Sequence, residues 1–179
     1  MTSPEVVSAR LRLTPMTVEA LAALQAGDRS RLERVTGARF PDPLEPPPLT
    51  ADVIGFFRET LQENPDIVPW WVRLIVMRQS GEAVGSIGLT GPPDADGAVV
   101  LGYSIYPAFQ RQGIAAEAAS ALVAWALQQP NVRSVHATIP PGHIASEGVA
   151  ARAGLSRTDR VLDDPDEGPI VVWERHKGN

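Results

Sequence analysis

Residues 102–118 read GYSIYPAFQRQGIAAEA, and the changes of pattern inside that stretch decide the fold. GYSIY suits a β-strand and Pro107 breaks it. From Ala115 to Leu127 the apolar residues at 115, 118, 119, 122, 123 and 126 form a helical stripe. Between strand and helix lies the loop QRQGIA, Gln110 to Ala115. A helix start carries N–H groups with no carbonyl one turn before them and a partial positive charge, so it attracts phosphate oxygens. Gly113 and the small Ala115 let this backbone come close to a ligand. A pyrophosphate would sit against the amides of Gln112 to Ala115, with Arg111 as a counter-charge. Taken alone, six such residues also describe an ordinary strand-to-helix turn, so their surroundings have to discriminate.

Upstream, WWVRLIVM (70–77), a Gly81-Glu82 turn, AVGSIGL (83–89), the polar loop GPPDADG (91–97) and AVVLGYSIY (98–106) predict an antiparallel meander of three strands. Downstream, Gln128-Gln129-Pro130 ends the helix. SVHATI (134–139) is a further strand, PPG (140–142) breaks it, and 144–153 is a short helix closed by Gly154. RTDRVL, the acidic turn DDPDEG (163–168) and PIVVWER read as a final hairpin. Nearer the N-terminus, RLRL (10–13) places Leu11 and Leu13 on one face of an opening strand. Met16-Thr17-Val18-Glu19 starts a helix that stops at Gly27, and a second helix falls near 28–35. FPDPLEPPP (40–48) forms neither helix nor central strand and reads as an ordered or semi-rigid excursion. Thr50-Ala51-Asp52 then caps a helix across 52–63, with Val53, Phe56, Phe57 and Leu61 apolar. The fold class is mixed α/β, a mostly antiparallel sheet flanked by helices.

The chain has 179 residues, 44% hydrophobic and 21% charged, which predicts one domain over 1–179. With no cysteine, disulfides, thiolate metal sites and cysteine nucleophiles are excluded. His136, His143 and His176 lack metal-ligand spacing, so no metal site is expected. A net charge of −5 without a basic cluster speaks against nucleic acid as a partner. No apolar run approaches the ~18 residues of a membrane span, and MTSPEVVSARLRL lacks the features of a signal peptide. A cytoplasmic protein without a membrane partner is the expectation.

Taken together, GEAVGSIGL at 81–89, the GPPDADG loop, GYSIYPAFQRQGIAAEAA, HATIPP and SEGVAARAGL resemble the GNAT superfamily of CoA-dependent N-acyltransferases. The resemblance runs from residue 10 to residue 155 and is closest to the branch acetylating N-termini of ribosomal proteins. It implies acyl transfer from an acyl-CoA, usually acetyl-CoA, to an amine by direct attack in a ternary complex. The strand holding Tyr103, Ser104, Ile105 and Tyr106 is then expected to splay from the strand holding Ala137, Thr138 and Ile139. The pantetheine arm would lie in that gap along Ser104, Ile105 and Tyr106, above a pyrophosphate held by Gln110, Arg111, Gln112, Gly113, Ile114 and Ala115. Strand backbone near Ile105 would hold the developing oxyanion. A homodimer is a further implication of the family.

Two positions depart from the family pattern. Many relatives carry a carboxylate as base just before the GY pair, where this chain has Val100. The branch also has Asn three residues ahead of a Ser, and here His143 stands three ahead of Ser146, with Gly142 in place of a common Asp. Ser146 reads either as proton donor to the leaving thiolate or as a first-turn hydroxyl bonding backbone. His143 reads either as a helix cap or as a group beside the thioester. Glu117 reads as an acid complementing the helix dipole, and Glu82 as a solvated turn residue. Trp70, Trp71, Phe40 and Phe56 are core or line the acceptor cleft, whose residues would come from 40–60 and the 163–168 turn. Two other readings of the fold remain: an acyl-CoA-binding module without catalysis, and an interaction protein using the proline-rich loop.

Overall fold

The computed structural model describes residues 5–47 and 53–178, and among these the sheet has eight strands. The chain opens with β1 (Val6–Val7), β2 (Leu11–Pro15) and three helices, α1 (Val18–Gln25), α2 (Arg29–Thr36) and α3 (Ile54–Glu63). It continues with β3 (Arg73–Met77), β4 (Ala83–Leu89), β5 (Ala98–Ile105) and helix α4 (Ile114–Gln128). Strand β6 (Ser134–Ile139), helix α5 (Ile144–Arg152) and the hairpin β7 (Ser156–Asp164) and β8 (Gly168–His176) complete it. The sheet order is β1-β2-β3-β4-β5-β6-β8-β7. Its pairs are antiparallel except β5 with β6. The α4 connection makes that parallel pair possible, since a crossover must return the chain to the same end of the sheet.

Helices cover both faces, so β3 buries every residue from Arg73 to Val76. Ile75 joins Leu11, Leu13 and Ile87 under α4, whose Ala118, Ala119, Leu122, Val123 and Ala126 are fully buried. Leu74 and Val76 face the other way, against Leu21, Leu24, Leu32 and Leu61 from α1, α2 and α3. Thr17 caps α1 by accepting from the Ala20 N–H at 3.2 Å, and Asp28 caps α2 by accepting from Arg31 at 3.0 Å.

The third strand is shorter than the sequence predicts. Trp70 ends a 3₁₀ helix, Pro65–Trp70, and Trp71 lies outside the ladder, which begins at Arg73. Pro69 has no N–H to give a ladder, and the tryptophans go to opposite cores. Trp70 packs on Trp125 at a centroid distance of 5.3 Å, whereas Trp71 meets Phe57 at 5.3 Å and Phe56 at 5.9 Å. Arg73, fully buried, places its guanidinium 4.9 Å from the Trp125 ring and donates to the carbonyl oxygens of Leu13 and Pro69. Burial pulls its pKa down to about 10, against the opposing charge of Glu5. Phe56 is 60% exposed, so its apolar character does not bury it. The expected cap Thr50-Ala51-Asp52 lies outside the described residues. The two-residue β1 is too short to leave an alternating pattern, and the sequence does not reveal it.

Up to Pro47 the proline-rich segment has no helix or ladder, as expected, and it is tied down at Phe40-Pro41 and again at Glu45. Arg29 donates to the carbonyl oxygens of Phe40 at 2.8 Å and Pro41 at 2.5 Å, and the Tyr106 hydroxyl donates to that of Glu45 at 2.9 Å. The segment is thereby brought to the end of β5, where the candidate site lies.

Candidate functional site

Strand β5 changes partner half-way along its length. Its first three residues, Ala98, Val99 and Val100, pair with Ser134, Val135 and His136 of β6. Beyond them β6 continues with β8 as far as Ile139, and β5 continues with β4 as far as Ile105. The two strands therefore part after Val100 and His136, the splay that the family resemblance implied.

Hydrogen-bond parity shows which groups face the opening. Thr90 donates its N–H to Val100 at 2.9 Å and Tyr106 donates to Val84 at 3.0 Å, so the even-numbered residues of β5 bond β4. Main-chain groups of Ser104 and the N–H of Tyr106 are used there, away from the gap, and the Tyr106 carbonyl accepts from the Phe109 N–H at 2.9 Å. Those of Leu101, Tyr103 and Ile105 point into it. The Ile105 carbonyl accepts from the Gln110 side-chain amide at 3.1 Å, leaving the Ile105 N–H toward β6. Close approach of β4 to β5 needs Gly85, because a Cβ there would stand 2.2 Å from the Ser104 oxygen.

At the mouth of the gap the loop 110–113 leads into α4. Arg111 has φ +61° and Gly113, the residue before α4, has φ +74°. A left-handed conformation costs a non-glycine residue roughly 1–2 kcal/mol, so Arg111 is strained and Gly113 is not. No side chain caps α4. The ladder begins with the Glu117 N–H donating to Gly113 at 3.1 Å, so the preceding amides, Gly113 to Ala116, lie outside it. Arg111 and Gln112 are exposed, whereas Ile114 is buried in the core and anchors the turn.

Glu117 does not cap the amides of its own helix. Its Oε1 accepts from the Ser8 hydroxyl at 2.7 Å and the Arg10 N–H at 2.8 Å, and its Oε2 pairs with Arg10 Nε at 2.6 Å. Burial raises its pKa, but the hydrogen bonds from Arg10 and Ser8 and the guanidinium charge outweigh that and hold it below the ordinary carboxylate value. Arg10 also donates from Nη1 and Nη2 to the Gln112 carbonyl, at 3.2 and 3.3 Å.

On the other side of the gap, α5 presents Ser146 in its first turn. His143 is the N-cap, its Nδ1 accepting from the Ser146 N–H at 3.3 Å, and Glu147 reaches back to accept from Gly142 at 3.1 Å. An accepting Nδ1 places the ring proton on Nε2. The Ser146 side chain lies beside the Tyr103 hydroxyl, which is shielded from solvent without a hydrogen bond of regular geometry. Burial pushes the Tyr103 phenol up and the Ser146 hydroxyl partly offsets this. Tyr106 is also pushed up, first by burial and then by the charge of Glu45. The structure thus brings together Ile105, Gln110 to Ala115 and Ser146 along one opening. Tyr103 of the same strand, Arg10 and Glu45 join them, though no local pattern marks Arg10 or Glu45.

A family model described as acetyltransferase (GNAT) domain matches residues 10–156. The chain belongs to this family. The N-acetyltransferase YjdG of Bacillus subtilis (strain 168) is 29% identical over 104 residues, which span 58% of this chain and 62% of YjdG. Among solved structures, a GNAT-family acetyltransferase from Bordetella pertussis superposes with a TM-score of 0.67 at 22% identity, covering 96% of this chain and 99% of the other. RimL, the ribosomal L7/L12 α-N-protein acetyltransferase, solved with coenzyme A, gives 0.64 at 16% identity, covering 97% and 98%.

The features of this GNAT chain fit a CoA-type donor. A parted strand pair leaves main-chain groups free for an extended polar arm, and an uncapped helix start stands beside it for phosphates. Among the described residues no group of His, Asp or Glu could hold a metal ion, and no helix is long and apolar enough to cross a membrane.

Proposed function

We propose that the protein is an acetyl-CoA-dependent N-acetyltransferase, one domain over 1–179, that passes the acetyl group to an amine by direct attack. The parting of β5 and β6 beside the uncapped start of α4 carries this reading. Acetyl-CoA, when bound, supplies the activated thioester. The amides of Gly113 to Ala116 hold the pyrophosphate, with Arg111 as counter-charge. The Ile105 N–H donates to the thioester carbonyl oxygen, where negative charge develops. Ser146 donates its hydroxyl proton to the departing sulfur. His143 acts through Ser146, by fixing the first turn of α5.

At the position where relatives carry a base, Val100 has no proton to exchange. Proton removal then falls to bulk water, a water chain or another residue, and acceptors that are already neutral are favoured. An α-amine of pKa about 7.7–8.0 is on the order of 10% neutral at pH 7, against about 0.04% for a lysine near 10.4. An N-terminal α-amine of a peptide or a small weakly basic amine is therefore the acceptor, and the likeness to RimL supports the first. Glu45, whose charge acts on Tyr106, is the carboxylate of the acceptor-side loop nearest that phenol, whereas Asp42 pairs with Arg29.

Val100 also favours a second reading, an acyl-CoA-binding module without turnover. Thermal-shift titration with acetyl-CoA and CoA, followed by thiol release over a panel of peptides and small amines, separates the two. Stabilisation with amine-dependent release establishes the transferase. Stabilisation without release establishes the module, and no stabilisation at saturating CoA removes both.

A further inference from the structure

The strongest unassigned feature is the network that ties the segment ahead of β2 to the phosphate loop across more than a hundred residues of sequence. Resting on the donor assignment above, we infer that Arg10 is a positioning residue for the pyrophosphate: it sets the orientation of the Gln112–Gly113 peptide and so aims the Gly113 N–H at the ligand.

The argument starts from the peptide plane. The Gln112–Gly113 bond is trans, so its carbonyl and its N–H point in opposite directions. Arg10 takes the carbonyl with both terminal nitrogens, at 3.2 and 3.3 Å. Holding that oxygen toward β2 turns the Gly113 N–H outward, toward the mouth of the gap. The guanidinium is itself held by Nε on Glu117 at 2.6 Å, and Glu117 is fixed by the Ser8 hydroxyl and the Arg10 N–H. The anchor and the first bond of the α4 ladder thus share one residue, Glu117, through its carboxylate and its N–H. The plane so held joins Gln112 to the left-handed Gly113, and the residue before Gln112, Arg111, is left-handed too. That loop shape has several alternatives and needs an external tie. A lysine would not replace the guanidinium, because one ammonium lacks the planar fork that serves Glu117 and Gln112 together.

The experiment compares wild type, Arg10→Met, Arg10→Lys and Glu117→Gln by calorimetry with CoA and by kcat/KM with two donors, acetyl-CoA and S-acetylpantetheine, which lacks the pyrophosphate. Arg10→Met is expected to weaken CoA binding roughly tenfold and to raise the acetyl-CoA KM at unchanged kcat. With S-acetylpantetheine its kcat/KM stays at the wild-type value. Arg10→Lys is expected to behave like Arg10→Met. Glu117→Gln keeps the fold if Arg10→Met does not, and shifts CoA binding in the same direction by a smaller factor. Unchanged CoA affinity overturns the inference, as does an equal loss with both donors, which marks general damage. Full recovery by lysine overturns it too, because a bare counter-charge would then suffice. Failure of the wild-type protein to bind CoA removes the donor assignment and this inference with it.

Discussion

Helices α4 and α5 both begin beside the gap between β5 and β6, yet their first turns are finished differently. His143 and Glu147 close α5 with its own side chains, as Thr17 closes α1 and Asp28 closes α2. Before α4 stands Gly113, left-handed and without a side-chain cap. A helix end left open costs stability, since an N-cap contributes about 1 kcal/mol. In the proposed function α4 keeps its amides for the pyrophosphate, whereas α5 ties its own first turn to His143 and so holds Ser146 in place.

The sharpest way to break the comparison is to alter the open end. Gly113→Val puts a β-branched residue at φ +74°, a region valine avoids, so the loop must move and its amides with it. CoA affinity is expected to fall about 100-fold by calorimetry while the melting temperature falls by only a few degrees, roughly the 1–2 kcal/mol of left-handed strain. Retained affinity would show that α4 is open for some other reason.

At the closed end the largest effect is expected from Ser146→Ala. Removing a hydrogen bond to a developing charge costs about 1.5–3 kcal/mol, so kcat should fall tenfold or more with the acetyl-CoA KM unmoved. Equal kcat in the variant would return Ser146 to the role of a first-turn hydroxyl.

His143 sharpens the contrast because a cap and a chemical group respond differently to asparagine. As a cap, His143→Ala loses about 1 kcal/mol and about 2–4 °C in melting temperature. It also loses a few-fold in kcat through Ser146, and His143→Asn restores all three. A catalytic imidazole would leave the asparagine variant as slow as the alanine one. Thermal melts and steady-state rates on the pair decide between them.

The contrast between the two ends was half legible in the chain. Strands β4 and β6 lie where short apolar runs between turn residues placed them, and α4 extends one residue beyond each end of its stripe, because breakers bound the strands and one buried face gives the helix its period. The QRQGIA loop could be read because glycine before a helix is a local signal. Trp70 and Trp71 misled for the opposite reason. Adjacent aromatics look like strand wherever they are, and only the tertiary packing shows that one goes to each core. That Ser104 and the Tyr106 N–H turn toward β4, leaving the gap to Tyr103 and Ile105, follows from hydrogen-bond parity, which no residue type encodes. Nor does anything near Glu117 announce Arg10, since the pair meets only when β2 is laid beside α4.

That same pair gives the smallest effect and the one with a pH sign. The folded-state pKa of Glu117 lies below the ordinary carboxylate value, so the folded protein holds its proton less tightly than the unfolded chain does. Its contribution is therefore fully present above the unfolded carboxylate pKa and fades as pH falls through the folded one. Because the Arg10 side chain is 47% exposed, solvent screens the pair, and its worth is well under about 1 kcal/mol. Melting temperatures taken downward from neutral pH should fall more steeply for wild type than for Glu117→Gln, the two curves converging in acid. Parallel curves would mean that Ser8 and the Arg10 N–H hold the carboxyl equally well with its proton on, and that the charge at this end of α4 is incidental.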